Sequence, residues 1–121
     1  MFATTDPNQR TAAAPVAPHT GRVTLINCFV VPEERDEAFH ELWTRMSAYF
    51  RAQPGFRSLR LHRALSPGAA YRWVNVATWD SAAAFHAAHL GDEFRAAITQ
   101  PGWDEFPSSP TLYEVVTEHE A

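Results

Sequence analysis

The segment Arg22 to Val31 (RVTLINCFVV) is apolar on both of its alternating faces. With a period of two, Val23, Leu25, Phe29 and Val31 fall on one side together with Asn27, and Ile26, Cys28 and Val30 fall on the other. A strand of this kind must be covered on both sides. What can cover it follows from the rest of the chain. Pro32 to Arg51 opens with proline and acidic residues suited to a helix N-terminus, then places Phe39, Leu42, Trp43, Met46, Tyr49 and Phe50 at helical spacing. Pro54-Gly55 ends that helix. Phe56 to Leu65 reads as a strand, with Leu59, Leu61 and Leu65 facing one way and Phe56, Ser58, Arg60 and His62 the other.

After a turn at Ser66 to Ala70, Tyr71 to Trp79 (YRWVNVATW) is a further strand, with Val74 and Val76 on one side and Trp73, Asn75, Ala77 and Trp79 on the other. Asp80 or Ser81 caps a second helix through His89, Gly91-Asp92 breaks it, and a helical turn covers Glu93 to Ile98. The proline-containing stretch Gln100 to Pro110 reads as a loop carrying Trp103, and Thr111 to Thr117 as the closing strand. The order strand, helix, strand, strand, helix, strand predicts an α+β fold of the ferredoxin-like βαββαβ kind, an antiparallel four-stranded sheet with its helices on one face. Those helices leave the second face of Arg22 to Val31 uncovered. In a short chain the nearest cover is a second copy, so the residues alone predict a homodimer.

Length sets the domain count: 121 residues make one domain, with no room for a separate cofactor domain. Residues 1–21, rich in Ala, Thr and Pro, read as a disordered N-terminal tail, 22–117 as the folded domain and 118–121 as a short acidic end. All ten basic residues are Arg, which excludes Schiff-base chemistry and a lysine phosphate clamp. The formal charge of -4 argues against nucleic acid or an anionic membrane as partner. The lone Cys28 can form neither an internal disulfide nor a thiolate metal site and reads as an inert core thiol. No signal peptide or membrane span is visible, and the expected location is the cytoplasm.

The run Gln53-Pro-Gly-Phe56, followed by Val74-Asn-Val-Ala-Thr-Trp79 and Asp80-Ser-Ala-Ala-Ala-Phe85, resembles the antibiotic biosynthesis monooxygenase family over about Arg22 to Val116. The resemblance implies a dimeric α+β barrel. It also implies a choice of chemistry, because the family includes cofactor-free oxygenases of aromatic polyketides and haem-degrading enzymes. In the polyketide oxygenases an Asn and a Trp spaced as Asn75 and Trp79 lie in the active site; a tyrosine of those enzymes is matched by Phe85, which lacks the hydroxyl. Asn27 lines up with a substrate-contacting Asn of the haem degraders. By ungapped counting, however, their helix-two Trp falls on Ala88 and their axial His near Ile98, so His86 or His89 would meet iron only after a shift in register.

The residues themselves say why such a pair is useful. A deprotonated electron-rich phenol can reduce dioxygen directly if the protein holds the ring, excludes water and stabilises negative charge. An Asn amide and an indole N–H are neutral donors for that purpose, although Asn75 also reads as a satisfied buried amide and Trp79, more readily still, as a core aromatic anchoring the second helix. His62 is a candidate general base if its strand face lines the cavity. Asn75, Trp79 and His62 are thus the candidate catalytic residues, and Asn27, Trp73, Phe85, His86 and His89 the candidate substrate contacts. The expected function is a cofactor-independent monooxygenase of a small aromatic, polyketide-like substrate and dioxygen, with no cofactor and no metal. Alternatives are a non-catalytic binding or scaffold barrel, a polyketide cyclase or isomerase, and a haem-degrading oxygenase.

Overall fold

A computed structural model of the chain describes residues 19–121. Four strands, β1 (Val23–Phe29), β2 (Phe56–Arg63), β3 (Trp73–Trp79) and β4 (Ser108–Tyr113), form one antiparallel sheet in the order β2-β3-β1-β4. The helices are α1 (Asp36–Arg51), α2 (Ala82–Ala87) and α3 (Asp92–Ile98), with 3-10 turns at Glu33–Arg35 and Trp103–Glu105. This is the predicted ferredoxin-like arrangement. The tail assigned to residues 1–21 lies outside the described residues up to position 18.

The helices pack on one face of the sheet through two apolar clusters. Phe39, Leu42 and Met46 of α1 join Phe29, Trp73, Phe94, Ile98, Trp103 and Phe106 at one end. Ala82 and Phe85 of α2 join Val23, Ala77 and Trp79 at the other. The cross-strand partners Val23↔Trp79, Leu25↔Ala77, Asn27↔Asn75 and Phe29↔Trp73 all point at this helical layer. On the opposite face Ile26, Cys28, Val74 and Val76 are only half-buried, so Cys28 lies outside the helix-covered core.

Several boundaries differ from the sequence reading. A bulge between Phe56 and Ser58 inserts one residue and sets Phe56 opposite Trp79, edge to face at 5.5 Å, on the same side as Leu59 rather than with Ser58 and His62. β2 stops at Arg63 and leaves Leu65 fully exposed. β4 starts at Ser108 instead of Thr111, because its register is set by Phe29↔Ser108 and Thr24↔Tyr113. Pro110 is accommodated since β4 is an edge strand and needs no second ladder partner. Val115 and Val116, assigned to the strand, are exposed beyond it.

Candidate functional site

A cavity of about 60 Å³ lies between the sheet and the helices. Its floor is Leu25 and Asn27 of β1 with Asn75, Ala77 and Trp79 of β3. Phe29, Phe56 and Leu59 also line it, as do Trp43, Met46, Ser47 and Phe50 of α1, Phe85, His89 and the turn residue Trp103. The strand residues are there by parity: positions two apart share a face, and Asn27 sits directly across from Asn75 in the β1–β3 ladder.

The lining is apolar with a few polar tips. Asn27 and Asn75 are each 8% exposed. Their Oδ1 atoms and the Trp79 Nε1 are buried side-chain polar atoms that lack a hydrogen-bond partner in the protein, and among the described residues no others do. Such groups normally find partners, and an unmet one costs on the order of 1–3 kcal/mol. All three converge on one cavity.

His89 is the one titratable side chain of the lining. Its Nδ1 lies 2.7 Å from the Phe85 carbonyl, and its ring packs on Phe85, Phe94 and Phe50 at 4.3, 5.0 and 5.3 Å. The neighbouring backbone is tied to α1, since the Tyr49 hydroxyl donates to the Ala88 carbonyl at 2.5 Å. Burial, and secondarily the Glu93 carboxylate, raise the Tyr49 phenol above its ordinary value, so it remains a donor well past neutrality.

The structure thus brings together Asn27, Asn75, Trp79, Phe85 and His89. It does not bring Trp73, His62 or His86 to them. Trp73 faces the helices, but at the far end of β3, where its Nε1 donates to Asp36 at 2.9 Å. Asp36 also accepts a bidentate pair from Arg72 at 2.9 and 2.8 Å, and that guanidinium holds its carboxyl below the usual range. His62 pairs with Val74 on the opposite sheet face, exposed, with its Nδ1 3.1 Å from the Arg60 carbonyl. His86 packs edge to face on Phe85 at 5.4 Å, outside the lining. The α1 contributors and Trp103 were not recognised as site residues from sequence. Helical spacing identifies the buried face of α1 but not which strand positions it meets.

A family model described as antibiotic biosynthesis monooxygenase matches residues 22–100. Among solved structures, a candidate monooxygenase from Shewanella loihica PV-4 is 35% identical with a TM-score of 0.71, covering 84% of this chain and 100% of that one. SnoaB, a cofactor-independent oxygenase from Streptomyces nogalater, is 27% identical with a TM-score of 0.67, covering 82% of this chain and 97% of its own. A MhuD variant with two manganese protoporphyrin IX molecules per active site shares the fold at 23% identity and a TM-score of 0.66, covering 82% of this chain and 99% of its own. No curated protein sequence matches the chain significantly.

Proposed function

Because this chain belongs to the antibiotic biosynthesis monooxygenase family, we propose that its cavity binds a small hydroxylated aromatic compound and oxidises it with dioxygen, the substrate itself supplying the electrons. The observation that carries this reading is the convergence of Asn27, Asn75 and Trp79, three buried polar groups without protein partners, on one apolar cavity. Each amide offers an acceptor and a donor, and a flip exchanges the two in place, while the indole offers a donor. Together they suit a planar ring whose edge carries hydroxyl and carbonyl oxygens. As negative charge spreads over those oxygens during electron loss, the N–H groups stabilise it against a predominantly apolar lining. The likeness to SnoaB supports the same reaction class.

For a substrate whose reacting carbon carries two hydrogens, one oxygen atom enters as a carbonyl and the other leaves as water with those two hydrogens. The four electrons lost by carbon are the four gained by dioxygen. A porphyrin fits these residues poorly, although His89, Asn27 and Trp79 share the cavity. The lining carries no arginine to meet two propionates. The test is aerobic turnover of 1,8-dihydroxyanthrone by the purified protein, followed by oxygen uptake and product absorbance, with chelator and without added flavin, haem or nicotinamide. Turnover is expected to need dioxygen and to survive the chelator. Tight binding of the aromatic without oxygen uptake would assign the chain to the binding-barrel class instead.

A further inference from the structure

We propose that Ser47 determines which aromatic compounds the cavity takes: its Oγ accepts a hydrogen bond from a second hydroxyl, carried at the end of the ring remote from Asn27, Asn75 and Trp79. The proposal rests on the aromatic-substrate reading above and narrows it to rings hydroxylated at both ends.

The residues of α1 that line the cavity are Trp43, Met46, Ser47 and Phe50, spaced as one stripe of a helix. Of these, Ser47 alone carries an oxygen. It is 7% exposed, in a helix whose other buried residues are Phe39, Leu42 and Met46. Alanine at this position would fill nearly the same space and favour the helix more. The hydroxyl therefore needs a reason other than the fold. The cavity supplies one, because Ser47 stands on the helical wall while the unpartnered atoms of Asn27, Asn75 and Trp79 belong to the sheet floor.

What Ser47 presents to a ligand follows from where its proton goes. Its Oγ–H donates to the Thr44 carbonyl at 2.9 Å, a bond within the helix itself. The single proton is committed there, and the oxygen lone pairs remain to accept. The floor differs, since its amides and indole bring N–H donors. A ring that spans floor to wall thus meets donors at one end, where negative charge can be held, and an acceptor at the other, where a protonated hydroxyl is matched. An ionised oxygen beside Ser47 would face lone pairs, so ionisation of the substrate is directed to the floor end.

The test is equilibrium binding of 2-naphthol and its 6-hydroxy, 6-amino and 6-fluoro derivatives to the full-chain protein, followed by naphthol fluorescence. The 6-hydroxy and 6-amino compounds, which can donate at the second end, should bind about 3- to 10-fold tighter than 2-naphthol. The 6-fluoro compound adds bulk without a donor and should bind like 2-naphthol. Ser47→Ala should bring the dissociation constants of the series together, with that of 2-naphthol within about twofold of its original value and Tm unchanged or higher. A serine kept only for its bond to Thr44 would leave the ratios unmoved by the substitution, and that result overturns the proposal. The series on the unsubstituted protein is decisive even if the alanine variant fails to fold: a fluoro compound bound as tightly as the hydroxy compound overturns the acceptor role. If none of the naphthols binds, the role of Ser47 falls, whereas oxygen uptake with 1,8-dihydroxyanthrone decides the oxygenase reading separately. The expected discrimination without that uptake upholds Ser47 and removes the reaction.

Discussion

At the scale of single residues, the two amides and the indole separate binding from folding. Asn75→Ala should reduce oxygenase turnover by about one to three orders of magnitude with the fold intact, and Trp79→Phe, which removes the N–H but keeps most of the aromatic wall, should cost less. Asn75→Leu has the same number of side-chain heavy atoms and no polar tip. Since the amide oxygen it replaces has no protein partner, its Tm should match or exceed that of the unsubstituted chain even as turnover falls. A large drop in Tm would show that the amide is structural. Asp36 gives the complementary case, a polar residue whose work is stability. Its carboxyl is depressed chiefly by the Arg72 hydrogen bonds, so its contribution is fully present above the ordinary value of 3.8 and is lost as pH falls through the lower folded value. Asp36→Asn should therefore lower Tm at neutral pH and flatten the acid limb of the Tm profile below about pH 4. Parity along a strand made Asn27, Asn75 and Trp79 legible in the sequence. The same parity put His62 on its correct face, but nothing local says which face of a strand lines a cavity. His86 and His89 are one helical turn apart, and only packing on Phe50 and Phe94 picks the second for the site.

At the scale of elements, the Pro-Gly-Phe turn is a packing constraint. Gly55 has φ +88, and a Cβ there would lie 2.5 Å from the Ala84 Cβ, so β2 and α2 can approach only if this position has no side chain. Its carbonyl meanwhile accepts from the Asp80 N–H at 2.8 Å, joining the start of β2 to the end of β3. Gly55→Ala should destabilise by about 2–4 kcal/mol through backbone strain and overpacking, read as a Tm lower by roughly 10 °C or more. The variant should lose activity only in proportion to its unfolded fraction. The sequence located α1 well because its apolar stripe is long and ends at Pro54-Gly55. It misplaced β4, since Pro107 and Pro110 look like loop residues until the ladder with β1 makes Ser108–Tyr113 an edge strand. The bulge after Phe56 was equally hidden, because one inserted residue reverses the apparent face of everything before it.

At the scale of the molecule, the half-buried Ile26, Cys28, Val74 and Val76 form an apolar centre on the sheet face away from the helices. We propose that a second copy covers it. Light scattering at micromolar concentration should give twice the 13.6 kDa chain mass, and Val76→Glu at the centre of that face should shift the species toward monomer. A well-folded monomer in the unsubstituted protein would remove the homodimer from the scheme. Among the described residues no helix is long and apolar enough to cross a membrane. Finally, the cavity of about 60 Å³ is small for any guest proposed for it, given that a cavity of about 150 Å³ is of the size that takes up a single benzene. Capture must then await a rarer, wider form, so the measured affinity will be the intrinsic one discounted by how seldom that form occurs. Arrival should be slow for the size of the ligand, departure slower still, and mutations that loosen the wall at Trp103 or Met46 should tighten apparent binding while blunting discrimination between guests.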